Sequence, residues 1–225
     1  MIAQNLPMKF TYNPNIIARI KSLAAQGTIV ELLNNIKQES LAWRQHKDWP
    51  WNGLVLSAAT RGSSARWDKN IKLRYDDEFS WMALSGLSDA EVKEKLDQVG
   101  RFKSVPGAWL WEVFQETKEK GGPDKMRAHL ASMSAESIIE YWESFKGCGP
   151  KYARNIMMDV YDKRFCSEYF AIDLRIKKLL FGRLGYTGPK NSYVEQEKFL
   201  VGLAGAVGIS CWDLDRLLYN KGHLI

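Results

Sequence analysis

The chain has 225 residues, 45% hydrophobic and 26% charged, enough apolar material for one or two sizeable cores and too much for a disordered or fibrous chain. No run approaches the roughly 20 apolar residues of a membrane-crossing helix, and Met1 to Phe10 lacks the apolar stretch and cleavage site of a signal peptide. An intracellular protein is expected, in the cytoplasm and nucleoid or in the nucleus, with no membrane partner. Cys148, Cys166 and Cys211 are too few and too far apart for a disulfide framework or a four-thiolate iron–sulfur cluster. His46, His129 and His223 show no metal-ligand spacing, so neither a metal nor another cofactor is expected.

Lys and Arg number 32 against 26 Asp and Glu, a net charge of +6 that is a mild argument for a polyanionic partner. The excess has a centre, because residues 143–185 hold nine basic residues against five acidic ones, whereas residues 186–225 hold four of each. Nine tryptophans is a high count, and Trp43, Trp49, Trp51, Trp109 and Trp111 stand close together in sequence. Buried packing with a polar indole handle is their expected use, ahead of base stacking.

The apolar spacing is helical nearly everywhere, with no convincing strand alternation, which predicts an all-α protein of roughly ten helices. Asn13-Pro14 opens the first, with Ile16, Ile17, Ile20 and Leu23 on one face, and Thr28 caps a second that runs to about Ser40. A third starts near Trp51. Further helices are expected over Asp77 to Leu84, Ser88 to Val99 and Pro106 to Lys120, followed by a Gly121-Gly122-Pro123 break. Beyond it come Pro123 to Met133, Ser134 to Phe145, Lys151 to Tyr161, Asp173 to Leu184, Val194 to Val207 and Ser210 to Asn220.

The segment Phe145-Lys146-Gly147-Cys148-Gly149-Pro150-Lys151-Tyr152-Ala153 lies between two of these helices. Glycines at 147 and 149 permit positive φ and close backbone approach, and Pro150 suits a first helical position, where its missing N–H costs nothing. The expected result is a tight helical hairpin whose second helix points N–H groups and the positive end of its dipole outward, able to hold a phosphate without reading a base. The same residues also suit a plain helix–helix turn.

Gly-Cys-Gly-Pro-Lys-Tyr-Ala, an apolar helix and then Ala171-Ile172-Asp173-Leu174-Arg175-Ile176 together resemble the helix-hairpin-helix DNA glycosylases typified by endonuclease III. In that family a hairpin L-P-G-(V/I)-G-x-K-T-A precedes a V-D-x-H segment with an invariant aspartate. Leu56-Ser57-Ala58-Ala59-Thr60 resembles the stretch that approaches the lesion strand, and Leu214-Asp215-Arg216-Leu217-Leu218 resembles the closing helix. The resemblance implies that Lys151 is the catalytic lysine and Asp173 the catalytic aspartate, and that Gly147, Gly149, Tyr152, Thr60 and Arg61 contact DNA. Phe145-Lys146 replaces the family's Leu-Pro, Arg175 replaces its His, and Ala59 stands where endonuclease III has a strand-invading Gln. The lesion therefore does not transfer from endonuclease III. The lysine-containing branches mostly act on oxidised bases, which implies 8-oxoguanine or another oxidised base here.

An amine that attacks a sugar C1′ must be neutral, and a lysine at a helix N-terminus, beside the positive dipole end and partly desolvated, has its ammonium form disfavoured. Bonded to C1′, Lys151 would displace the base and give a Schiff base from which β-elimination cuts the strand. Asp173 is also a good N-cap for Leu174 onward, and backbone N–H bonds would keep its carboxylate ionised beside the positive charge growing on the sugar. Lys177, Lys178 and Arg183 are expected on a solvated helix face.

The reading is a monomeric, bifunctional glycosylase and abasic-site lyase of base-excision repair, acting on a base flipped from double-stranded DNA. Two lobes are expected, a helical barrel with the hairpin over about 53–163 and a second lobe from 1–52 with 164–225, with Lys151 and Asp173 facing the cleft. A monofunctional glycosylase using Asp173 and water, and a non-catalytic hairpin that only grips phosphates, are the alternatives.

Overall fold

The computed structural model describes residues 10–59, 65–99 and 106–225. Among these residues the chain is helical with no strand. The helices are α1 (Pro14–Ala24), α2 (Gly27–Gln45), α3 (Trp51–Ala59), α4 (Ala65–Arg74), α5 (Trp81–Ser85), α6 (Asp89–Asp97), α7 (Pro106–Glu119), α8 (Pro123–Ala131), α9 (Ala135–Glu143), α10 (Pro150–Met158), α11 (Leu174–Gly182), α12 (Tyr193–Val207) and α13 (Cys211–Lys221). No described helix is long and apolar enough to cross a membrane.

Most starts obey local capping chemistry, in which a short polar side chain accepts an otherwise orphaned N–H. Asn13 accepts from Asn15 N before Pro14, and Ser88 and Glu91 form a reciprocal capping box on α6. Ser134, Ser192 and Ser210 cap α9, α12 and α13 in the same way.

Helix α2 starts at Gly27, which puts Thr28 inside it rather than at its cap, and it runs on to Gln45; two further stretches differ more from the sequence expectation. Asp77 to Leu84 is not one helix: Tyr75–Phe79 forms a wider π turn, closed by Ser80 N–H to the Tyr75 carbonyl at 2.7 Å, and Ser80 then caps the short α5. The cause is tertiary. Buried Asp48 accepts from the Tyr75 hydroxyl at 3.1 Å and from Trp81 N–H at 2.8 Å, while the Trp51 indole N–H donates to the Phe79 carbonyl at 2.8 Å. These partners replace the regular helical ladder. The unexpected α4 is a mostly polar helix with Ile71 as a buried anchor, too little apolar spacing to be read as amphipathic.

The chain divides into two compact units, one formed by Asn35–Phe165 and the other by Met1–Asn34 with Cys166–Ile225. In the second, Ile20, Leu23, Ile29 and Leu33 pack with Phe170, Ile172, Ile176, Leu180, Phe199, Leu200, Leu203 and Leu214 in one core. Each fully buried aliphatic or aromatic side chain there contributes about 1.5–3 kcal/mol. The 35–165 unit is centred on aromatic packing: Trp51 meets Phe114 edge-on at 5.5 Å and Trp81 at 6.1 Å, and Trp49, Trp109 and Trp142 are also buried. Trp43 and Trp111 are half-buried, so the tryptophan-rich composition mostly serves this core.

A buried ionic cluster ties the end of the 35–165 unit together. Asp162 accepts two bonds from the Arg164 guanidinium, at 2.8 and 2.9 Å, and meets Arg44 at 3.3 Å. Arg164 in turn donates to the carbonyls of Leu130 and Met133, at 2.9 and 2.6 Å. Burial alone would raise the Asp162 carboxyl, but the Arg164 hydrogen bonds and the charges of Arg44 and Arg164 outweigh it and hold the group below the usual carboxylate range. With a folded pKa below the unfolded one, its contribution to stability is present above the unfolded value, about 3.9, and is lost as pH falls through the folded value. Asp162→Asn is accordingly expected to cost about 3 kcal/mol at pH 7 and to weaken the acid dependence of unfolding. Urea titrations of both proteins at pH 7 and pH 3 measure this; an equal loss on acidification in the two would show that Asp162 does not carry it.

Candidate active site

The hairpin is set by both of its helices. Ile138, Ile139 and Trp142 bury one face of α9, and Ala153, Ile156 and Met157 bury one face of α10. Arg154, on α10, reaches back to Glu143 on α9 at 3.2 Å and to the Pro150 carbonyl at 3.2 Å, so its mostly buried guanidinium fastens the first turn of one helix to the last turn of the other. Lys146 N–H donates to Glu112 of α7 at 3.2 Å, and Cys148, buried, donates its N–H to the Phe145 carbonyl at 3.0 Å.

Only one of the two hairpin glycines uses a left-handed conformation. Gly147 has φ +97°, which needs a residue without Cβ, whereas Gly149 has φ −85° and ψ −178°, ordinary extended backbone. The expectation that both glycines serve a positive φ is corrected for Gly149. What distinguishes Gly149 is open space, since a Cβ placed there would meet nothing within 4 Å. As N-cap of α10 it offers no side chain to the helix start, and among the described residues its N–H has no protein partner. Pro150 occupies the first helical position as expected.

Lys151 follows at the second position of α10, half-buried, with Nζ 4.3 Å from the ring centroid of half-buried Tyr152. The ring of Tyr152 packs against the end of the Lys151 side chain and holds the amine at the helix start. Gly147, Gly149, Lys151 and Tyr152 thus share one hairpin. At the opposite end of α10, Asp159 approaches Ser57 of α3 at 3.5 Å and accepts a hydrogen bond from Asn155. Helix α3 leads toward Thr60 and Arg61, which lie outside the described residues.

Asp173 belongs to the other unit and is the N-cap of α11. Its Oδ1 accepts from Arg175 N–H and from Ile176 N–H, both at 2.9 Å, and Oδ2 has no hydrogen-bond partner among the described residues. One oxygen is thereby spent on capping the helix. The irregular segment before Asp173 is held from α12: the Tyr193 hydroxyl donates to the Phe170 carbonyl at 2.6 Å and accepts from Ile172 N–H at 3.0 Å, and buried Glu197 accepts from Phe170 N–H at 2.9 Å. Sequence reasoning did not find Tyr193 or Glu197. Their one signal is a tyrosine and a glutamate a helical turn apart, which carries no information about a backbone segment more than 20 residues away.

After Asp173, exposed Leu174 stands at the first position of α11, and the Arg175 guanidinium lies 4.5 Å from the Tyr219 ring centroid. Arg183 is exposed, as expected, and also donates to the Gly222 and His223 carbonyls, at 3.3 and 2.9 Å, which ties the end of α11 to the C-terminal turn. Burial, followed by the nearby Glu197, Glu168, Asp215 and Cys166, pushes the Cys211 thiol up to about 12, so it is a neutral donor to the Ser167 carbonyl at 2.7 Å. No group of three His, Cys, Asp or Glu side chains among the described residues is placed to hold a metal ion.

The all-helical fold is shared with solved structures of 8-oxoguanine DNA glycosylases. The 8-oxoguanine DNA glycosylase of Methanocaldococcus jannaschii superposes with a TM-score of 0.69 at 20% identity, over 92% of this chain and 94% of that one. The M. jannaschii 8-oxoguanine glycosylase/lyase in complex with 15mer DNA containing 8-oxoguanine gives 0.70 at 19% identity, over 94% and 99%. The 8-oxoguanine DNA glycosylase of Thermotoga maritima gives 0.60 at 19% identity, over 92% and 95%. No protein-family model matches the chain, and no curated protein sequence is similar enough to match it.

Proposed function

We propose that this chain is a base-excision DNA glycosylase that removes an oxidised base, 8-oxoguanine first among them, from double-stranded DNA and then cuts the abasic strand through a lysine Schiff base. The observation that carries the reading is the hairpin, with Lys151 at the second position of a helix whose start has no side-chain cap, in a fold shared with the 8-oxoguanine glycosylases over nine-tenths of the chain.

In this chemistry the target nucleotide leaves the stack, because its C1′ is not open to attack while the base is paired. The neutral Lys151 amine attacks C1′, the new N–C1′ bond forms as the glycosidic bond breaks, and the base departs with the electron pair and takes up a proton. Opening of the C1′–O4′ bond gives the protonated Schiff base. Loss of a C2′ proton then expels the 3′ phosphate. Asp173 Oδ2 steadies the positive charge on the sugar while Oδ1 remains on the α11 backbone.

The start of α10 holds a phosphate of the DNA backbone by its N–H groups, a grip without sequence information. Gly149→Val tests it cleanly, because an extended conformation suits valine and the new side chain enters open space without disturbing the hairpin. The methyl groups would occupy the phosphate position and weaken binding at least tenfold, about 1.4 kcal/mol, equally for intact and lesioned duplexes. A folded Gly149→Val protein that binds both as the wild type does would remove the phosphate grip.

The whole reading is tested with duplexes that each carry one defined lesion, scoring base release and strand nicking separately. Release of 8-oxoguanine with nicking is expected. Release without nicking would leave a monofunctional enzyme that uses water, and binding without release would leave a DNA-gripping module.

A further inference from the structure

We infer that Tyr193 is a positioning residue for Asp173, acting through the backbone of residues 170–172; this rests on the glycosylase reading above. The five residues before α11 belong to no helix or strand, so no regular ladder fixes them. Their hydrogen bonds come instead from side chains on one face of α12, one turn apart: Tyr193 at the first helical position and Glu197 at the fifth. The Tyr193 hydroxyl does two jobs with one oxygen. It donates to the Phe170 carbonyl at 2.6 Å and accepts from Ile172 N–H at 3.0 Å, which fixes the chain on both sides of Ala171. Glu197 accepts from Phe170 N–H at 2.9 Å, so both polar groups of Phe170 are held from α12. Phe170, Ala171 and Ile172 are all buried, and Asp173 is the first residue of the segment to emerge toward solvent.

The consequence is geometric. The N-cap bonds to Arg175 and Ile176 fix the direction of the Asp173 carboxylate relative to α11, and the Tyr193 bridge fixes where the chain delivers it. A displacement of about 1 Å at a reacting group can cost on the order of a hundredfold in rate. Phenylalanine at 193 keeps the ring and its packing but leaves the Phe170 carbonyl and the Ile172 N–H without the hydroxyl, so the irregular segment is released to drift.

The experiment compares wild type, Tyr193→Phe, Asp173→Asn and the double variant in single-turnover base release from an 8-oxoguanine duplex, with duplex Kd and melting temperature measured for each. Tyr186→Phe serves as the control, because it too removes a tyrosine hydroxyl from a backbone carbonyl, that of Pro189 at 3.3 Å, in the same unit. Tyr193→Phe is expected to slow release at least tenfold with Kd within twofold, Tyr186→Phe to release at the wild-type rate, and the double variant to be no slower than Asp173→Asn alone, since one effect passes through the other. Amide exchange at Ile172 and Ile176 should be at least tenfold faster in Tyr193→Phe than in wild type and unchanged in Tyr186→Phe. Wild-type release from Tyr193→Phe, or a double variant slowed by the product of the single effects, would overturn the inference. A wild-type protein that releases no base contradicts the glycosylase reading instead, and the exchange of Ile172 and Ile176 then still decides whether Tyr193 holds Asp173 in place.

Discussion

Lys151→Ala is expected to abolish borohydride-dependent cross-linking to duplex DNA with an abasic site, and to slow base release by about a thousandfold or more, roughly 4 kcal/mol of lost transition-state stabilisation. The size follows from the chemistry: without the amine no C1′–N bond forms, and there is no iminium for borohydride to reduce. Alanine is the best helix former, so α10 and its buried face of Ala153, Ile156 and Met157 should persist. The binding loss should be small, because the phosphate grip is made by backbone groups at the start of α10 that alanine keeps. Trapping at the wild-type level by Lys151→Ala would show that another amine attacks.

Asp173→Asn is expected to lower base release by a factor of a hundred or more, about 3 kcal/mol, with little change in folding stability or DNA affinity. The separation rests on how the carboxylate is used. Both N-cap bonds go to Oδ1, and asparagine retains that carbonyl oxygen, caps helices about as well, and changes only the second oxygen to a neutral amide. Asp173→Ala, by contrast, should also lose about 1 kcal/mol of stability with the cap. Unchanged base release in Asp173→Asn, measured alongside a thermal melt, would leave Asp173 with the capping role alone.

The parts of this architecture that were legible in the sequence are those governed by local rules. Asn13-Pro14, Ser88 with Glu91, Ser134 and Ser210 declare helix starts within a few residues, and the structure has helices there. The Gly147 to Pro150 run declares a turn between helices for the same reason, although only Gly147 takes the left-handed conformation while Gly149 leaves space. Asp173 reads as an N-cap from its neighbours alone, and so it is.

What the sequence conceals depends on partners far along the chain. The π turn at Tyr75 to Phe79 exists because Asp48 and Trp51 claim its polar groups, and nothing within the segment announces them. The Tyr193 bridge to Phe170 spans 23 positions, and the Arg164 bonds to Leu130 and Met133 span more than 30. Helix α4 was missed for the opposite reason, since its composition is polar and its buried anchor, Ile71, leaves no stripe. Propensity and periodicity describe a residue's neighbours, whereas these features come from tertiary pairing.

The central claim is that the lysine at the start of α10 bonds to the sugar of a lesioned nucleotide. It is tested most directly by incubating the wild-type protein with an 8-oxoguanine duplex in the presence of borohydride, digesting the product and locating the DNA remnant by mass spectrometry. The account predicts a reduced sugar adduct on the peptide that contains Lys151. Release of 8-oxoguanine with no adduct, or with the adduct on a different lysine, would contradict it.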